Sequence, residues 1–381
     1  MRMRLLVIGH YGGHNTGDEA MLAALVDSLR SLESHLVVIT RDGAAPSYFR
    51  GKHVSAIPPE FGEVFREVRR SHGVILGGGT HFHDDYRFWR YARHLRYMLR
   101  IVGVSWLARA WGKRVGWLSV GFGPFSFFLT RWVTALGLMA CDVVVVRDKA
   151  SLNRIRKWVS PDKVRLSFDV AALLGEYILH GKGTREGSLL GISVTSFHKS
   201  RSGGPEKDQQ FWKEFAAALS EILREKPSLR VRVFVFRGGS RESDVNLSIQ
   251  LYQRLACVDP SRVEFVKYHP DPRETFRMVA ECEAFIATRY HSAVLAYVGG
   301  CRLLLIPYHA KVKDIAREIK LSRQALLSLD MKKEEIRRRA LHLLEGHDDS
   351  FLPALPRKEA IEKARENIIA LAKLLNERRK Q

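Results

Sequence analysis

The chain has 381 residues, of which 46% are hydrophobic and 27% charged. This is the balance of an ordinary globular protein, too long for one hydrophobic core, so a disordered or fibrous chain is excluded and two domains are expected. A formal net charge of +21 calls for an anionic partner: nucleic acid, an anionic membrane surface or small anionic substrates.

The chain opens on "MRMRLLVIG". Its apolar run is too short for a secretory signal core and reads as a first strand. The strand runs into "HYGGHNTGDEAM", a glycine-rich turn before the helical stretch "LAALVDSLR". Gly12, Gly13 and Gly17 permit close backbone approach. The turn lacks GxGxxG and a P-loop lysine, and two adjacent acids, Asp18 and Glu19, suit a directly bound phosphate poorly. Two readings stay open. Asp18 and Glu19 grip sugar hydroxyls or accept a proton, or Asp18 or Thr16 simply caps the helix.

Further short apolar runs follow in the first half: "HLVVIT", "GVILGG", "RVGWLSV" and "DVVVVR". The "ILGGGTHFHDD" stretch ends one of them, and Gly77, Gly78 and Gly79 leave room for a ligand. His81, His83, Asp84 and Asp85 are a weak metal signal, better read as a solvated loop or as substrate-binding residues. The run "VVVVRDKAS" places Arg147 at a strand end, either facing an anion or pairing with Asp148.

Between residues 86 and 138, arginines interleave with Tyr, Trp and Phe. This pattern suits a membrane interface, or else a pair of helices packed on a sheet with arginines in water. No RNA- or DNA-binding module is visible, so a nucleic-acid partner is not expected. No stretch of about 20 uncharged apolar residues occurs, so no spanning helix is expected.

"LGEYILHGKGTREGS", near residues 175–187, reads as a linker. Five more apolar runs follow: "LLGISV", "VRVFVF", "RVEFV", "AFIAT" and "RLLLIP". Short strands alternating with helices predict two α/β domains with doubly wound parallel sheets, both Rossmann-like, facing a cleft. The expected boundaries are 1–178, 186–325 and a set of C-terminal helices over 326–381. Within "ATRYHSAVLAYVGG" and "PYHAKVKDIA", Arg289, His291 and Lys311 fall at two successive strand ends that open helices, where they would converge on one anion. Cys141, Cys257, Cys282 and Cys301 form no CxxC pair and read as free thiols, so neither disulfides nor a zinc site is expected.

Taken in order, "GHYGGHNTGDEAM", "ILGGGT", "VVVVRDKAS" and "ATRYHSAVLAYVGG…PYHAKVKDIA" resemble the polysaccharide pyruvyl transferases over residues 5–320. The resemblance implies a fold like the B-type glycosyltransferases. It also implies transfer of the enolpyruvyl group of phosphoenolpyruvate to two hydroxyls of a sugar, forming a pyruvate ketal and releasing phosphate. It implies no metal and no cofactor beyond phosphoenolpyruvate as co-substrate. The donor would lie on Arg289 and His291, with Arg147 and Lys311. Asn15, Gly17, Asp18, Gly78, Gly79 and His81 would serve the acceptor. His291 would be a general acid or a phosphate ligand, and Asp18 or Glu19 would orient or deprotonate the hydroxyls. The acceptor would be a cell-surface glycan or its lipid-linked precursor, handled in the cytoplasm. The basic, aromatic stretch over 86–138 would then hold the protein peripherally on the inner face of the membrane. The competing reading is a B-type glycosyltransferase using a nucleotide sugar.

Overall fold

The computed structural model describes residues 3–29, 34–49, 53–84, 88–176, 188–197, 204–239, 243–347 and 349–376. It divides into two compact units. The first comprises residues 1–13, 18–174 and 360–381, and the second residues 14–17 and 175–359. Most of the expected linker, residues 177–187, lies outside the described residues.

The first unit runs β1 (Met3–Tyr11), α1 (Thr16–Ser28), β2 (Ser34–Thr40), β3 (Val54–Ile57), α2 (Phe61–Arg70), β4 (Gly73–Leu76), β5 (Gly79–Phe82), α3 (Phe88–Ala110), β6 (Arg114–Phe122), α4 (Phe128–Ala140), β7 (Val143–Val146), α5 (Lys149–Ile155) and β8 (Val164–Leu166). Eight strands form one sheet in the order β3-β2-β1-β4-β6-β7-β8, with β5 also pairing β6. All pairings are parallel. The central strands are apolar on both faces, as a sheet covered by helices on both sides requires. Leu5, Leu6 and Val7 of β1 and Val144, Val145 and Val146 of β7 are fully buried. Strand order reverses between β1 and β4, so the turns after these two strands frame the crevice where such sheets take ligands. Helices α2, α3 and α4 share a core with one face of the sheet, built on Val68, Met98, Val102, Trp117 and Val133.

The second unit runs β9 (Leu189–Ser193), α6 (Pro205–Glu225), β10 (Arg230–Phe234), α7 (Val245–Ala256), β11 (Val263–Val266), α8 (Pro272–Ala280), β12 (Ala284–Ala287), α9 (Tyr290–Val298), β13 (Arg302–Leu305), α10 (Ala310–Glu318) and α11 (Lys333–Glu345). Its five strands lie in the order β11-β10-β9-β12-β13, all parallel. The order reverses between β9 and β12, which places the second crevice at the end of β12, where α9 begins. Aromatic side chains fill one face of this core, with Phe197, Phe211 and Phe215 buried among Ile192, Val231 and Leu304.

The last helix, α12 (Arg357–Asn376), differs from the expected separate group of C-terminal helices. From Ala360 onward it belongs to the first unit. Cys141, Cys282 and Cys301 are buried free thiols and Cys257 is exposed. Among the described residues no helix is long and apolar enough to cross a membrane.

Candidate active site

In the second unit, the peptide after β12 carries Thr288 and Arg289, and α9 then starts at Tyr290. Hydroxyls weld this strand end to β9. Ser193 Oγ donates to Ser292 Oγ (2.7 Å), Thr288 Oγ1 donates to the Ser193 carbonyl (3.1 Å), and Ser292 Oγ donates to the Arg289 carbonyl (2.8 Å). The N-terminal end of α9, electropositive by its backbone dipoles, is thereby fixed against the crevice. Arg289 is mostly buried, and Asp244 grips it edge-on through Nε and Nη2. Asp244 stands at the N-cap of α7 yet makes no capping bond, because its carboxylate faces the guanidinium instead. At the next strand end His309 caps α10, accepting the Lys311 main-chain N–H on Nδ1 (3.3 Å). Adjacent parallel strands lie about 4.8 Å apart, so Arg289, His291 and Lys311 occupy neighbouring strand ends.

Residues 14–17 group with this unit. The Thr16 N–H donates to the Phe236 carbonyl (2.9 Å), the Gly238 N–H donates to the His14 carbonyl (2.9 Å), and Asn15 bridges Arg237. The His14 ring stacks on Tyr268 at 5.5 Å. A Cβ on Gly17 would fall 2.0 Å from Nδ1 of His291. Glycine is required here because the imidazole packs directly on the peptide. Asn15 caps α1, its Oδ1 accepting the Gly17 N–H (3.3 Å). The cap is therefore neither Asp18 nor Thr16, as the sequence had suggested.

In the first unit, Glu19 is buried. Its Oε1 accepts the Gly12 N–H (2.8 Å) and its Oε2 accepts the Tyr48 hydroxyl (2.7 Å). Burial raises its pKa to about 7, against the pull of the two hydrogen bonds. With both oxygens engaged, Glu19 holds the turn, and Asp18 beside it is the more accessible carboxylate.

Several expected contact residues turn out to be internal. A Cβ on Gly77 would meet the Tyr11 hydroxyl at 1.9 Å, and one on Gly78 would meet Met21 Sδ at 2.3 Å. These glycines make room for side chains of their own unit. Gly79 adopts φ +133°, a conformation few other residues tolerate. His81 is fully buried. Its Nε2 faces the Gly77 and Gly78 carbonyls (2.9 and 3.1 Å) and its Nδ1 meets the Tyr97 hydroxyl (2.9 Å). Two carbonyls on Nε2 require the proton there, so Tyr97 donates to Nδ1. Burial lowers the His81 pKa to about 3. His81 thus fastens the triple-glycine loop from inside the unit.

His83 and Asp84 are buried as well, contrary to a solvated loop. Asp84 accepts the Ser126 and Phe127 N–H groups (2.6–2.8 Å) and so fixes the entry to α4. Asp85 lies outside the described residues. No group of three or more His, Cys, Asp or Glu that could hold a metal occurs among the described residues. Arg147 is buried beside Asp148 (3.5 Å) and Asp169 (3.3 Å), and its Nη2 donates to Thr80 (2.7 Å). It pairs with carboxylates of its own unit, Asp148 as the sequence allowed and Asp169 besides.

Tyr11, Tyr48, Ser193, Asp244 and Ser292 escaped the sequence reading. Each acts through a partner distant in the chain, and one sequence carries no signal for such pairs.

The fold is that of the GT-B enzymes. A UDP-N-acetylglucosamine 2-epimerase from Methanocaldococcus jannaschii aligns at TM-score 0.61 and 8% identity, covering 98% of this chain and 99% of that one. A protein from Anabaena solved with UDP and glucose aligns at TM-score 0.57 and 13% identity, covering all of both chains. A glycosyltransferase from Rickettsia africae aligns at TM-score 0.53 and 10% identity, covering 100% and 97%. Within this class the chain is placed by its sequence. The polysaccharide pyruvyl transferase family model matches residues 15–310, and the chain belongs to that family. Membership makes it a polysaccharide-modifying transferase.

Proposed function

We propose that the protein transfers the enolpyruvyl group of phosphoenolpyruvate to two hydroxyls of one sugar, in a cell-surface glycan or its lipid-linked precursor. The observation that carries this reading is the cationic pair of helix starts in the second unit, Arg289 and His291 at α9 and Lys311 at α10, in a chain of this family. Phosphoenolpyruvate presents a carboxylate and a phosphate on one small frame. Charge-assisted hydrogen bonds contribute about 1.5–3 kcal/mol each, so three offset the cost of immobilising the ligand and support roughly micromolar binding.

The reaction protonates the enol methylene to a methyl group, and a sugar hydroxyl attacks the adjacent carbon. The C–O bond to phosphate breaks, and the second hydroxyl closes the ketal. Of the two hydroxyl protons, one balances the proton taken up by the methylene and the other leaves with phosphate. His291, held against Gly17, delivers the methylene proton or holds the departing phosphate. Asp18, one residue beyond Gly17 in the chain, orients or deprotonates the attacking hydroxyl, with Glu19 shaping the turn behind it. No cofactor takes part beyond the co-substrate.

The test combines a thermal shift with phosphate release. Phosphoenolpyruvate should raise the melting temperature where uridine diphosphate does not, and phosphate release should require a glycan acceptor. Stabilisation by uridine diphosphate alone would return the protein to the nucleotide-sugar glycosyltransferases.

A further inference from the structure

The chain carries nine Lys and Arg and no Asp or Glu between Tyr86 and Cys141. This stretch builds α3 and α4, which lie side by side over one face of the first sheet. Tyr91 near the start of α3 meets Thr130 near the start of α4, and Trp106 near the end of α3 donates to the Leu136 carbonyl near the end of α4. The two helices therefore run in the same direction. Their inner faces are consumed by the core, Met98, Ile101 and Val102 from α3 with Val133 and Leu138 from α4.

The outer faces are unusual. On α4, Phe128 (79% exposed), Trp132 (53%), Ala135 and Met139 (59%) recur at i, i+4, i+7 and i+11, a single stripe along the helix. Leu129 and Arg131 flank it, both exposed. On α3, Arg93, Arg96 and Arg100 are exposed along one side with Leu99 among them. Phe61 and Phe65 of α2, with Trp111 just beyond α3, add a second exposed aromatic group to the same helical layer. A solvated helix face would carry both signs of charge and few large apolar groups. Among the described residues, α3 and α4 carry cations and no carboxylate beside their exposed apolar side chains.

We propose that the outer face of α3 and α4 docks on an anionic phospholipid bilayer, with Phe128, Trp132 and Met139 entering the headgroup–acyl boundary and the α3 arginines meeting lipid phosphates. Rings at interface depth with cations beside them are the chemistry of a peripheral membrane surface. A nucleic-acid strand supplies phosphates but no apolar phase for the α4 stripe. A second copy docking through the same face would set the same arginines against one another. The inference extends the proposed function, since it brings the enzyme to a lipid-borne acceptor, yet it stands whatever the donor is.

Flotation with vesicles tests it. The wild-type chain should float with equimolar phosphatidylglycerol and phosphatidylcholine at low salt and remain unbound with phosphatidylcholine alone. Phe128→Ser with Trp132→Ser should weaken partitioning at least about tenfold. Arg93→Gln, Arg96→Gln and Arg100→Gln together should weaken it on the order of a hundredfold, at roughly fivefold per cation. Circular dichroism and melting temperature establish that each variant is folded. Phosphate release measured on a soluble acceptor should be unchanged, which separates failure of docking from failure of the proposed reaction. Absence of the wild type from anionic vesicles, or folded variants that bind as the wild type does, would overturn the proposal. So would a wild-type oligomer in size-exclusion chromatography that the Phe128 and Trp132 changes dissolve, since the face would then belong to a second copy.

Discussion

Glu19 combines a buried carboxylate with two donors, and two buried histidines shift stability with pH in the opposite sense. Burial raises its pKa to about 7, so the native state holds this proton over a range in which the unfolded chain, with an ordinary value near 4.5, has released it. Its contribution is therefore complete below about pH 4.5 and is lost as pH rises through about 7. Burial lowers the pKa of His81 to about 3 and that of His94 to about 4. These two act in the opposite sense, because the unfolded rings take up protons first as pH falls below about 6.5. Glu19→Gln separates the effects. The amide can accept from Gly12 and donate to the Tyr48 oxygen, so the turn survives. We expect the variant to gain about 3 kcal/mol over the wild type between about pH 4.5 and pH 8, read from urea midpoints. A difference independent of pH would refute the assignment. Gly17 gives a second case. The sequence offered it as a place for a ligand, and the structure fills that space with His291. Gly17→Ala should displace the ring, cost about 1–3 kcal/mol of stability and lower phosphate release at least about 10²-fold. In a His291→Ala background the same change should add little. Full additivity would deny the coupling.

At the scale of elements, the sequence was legible where apolar runs were long and unbroken. "RLLVIG", "HLVVIT", "GVILGG", "RVGWLSV" and "DVVVVR" became β1, β2, β4, β6 and β7, and all five runs of the second half became β9–β13. The runs that went unread are β3, β5 and β8. Strand β3 is half-buried along its length, β8 has three residues at the sheet edge, and β5 carries Thr80 and His81. Without a continuous apolar signature, only pairing to a neighbour reveals such strands. The polar groups between elements were legible as chemistry but not as partners. Asp84 looked like a loop acid or a ligand, and it instead anchors the first residues before α4 across 42 positions of sequence. Arg147 stood where an anion site was expected, and Asp169 pairs with it from 22 positions away. Each side chain's type was readable, while its satisfaction depended on contacts that no local pattern encodes.

For the whole molecule, two Rossmann-like series were readable from the alternation of strands and helices, but the path of the chain's end was not. The amphipathic pattern of α12 says that it buries one face and does not say against what. The structure packs it on the first unit, where Asn367 donates through Nδ2 to Ser167 Oγ (2.7 Å), the Phe168 carbonyl (3.1 Å) and the Ala364 carbonyl (2.9 Å). Leu374 reaches the open side of Gly116 in β6. A chain that has completed its second unit thus returns to finish the first, so stability of the first unit depends on residues more than 190 positions downstream. Asn367→Ala would remove the buried amide shared by Ser167 Oγ and the Phe168 and Ala364 carbonyls, at a cost of about 1–3 kcal/mol. Hydrogen exchange should then report faster opening of β6 and β7, with β9 and β13 unchanged. Equal loss of protection in both units would mean that they unfold as one body, and no loss at all would mean that α12 is an appendage. Of these outcomes, only selective loss in β6 and β7 agrees with a first unit that is closed by the last helix of the chain.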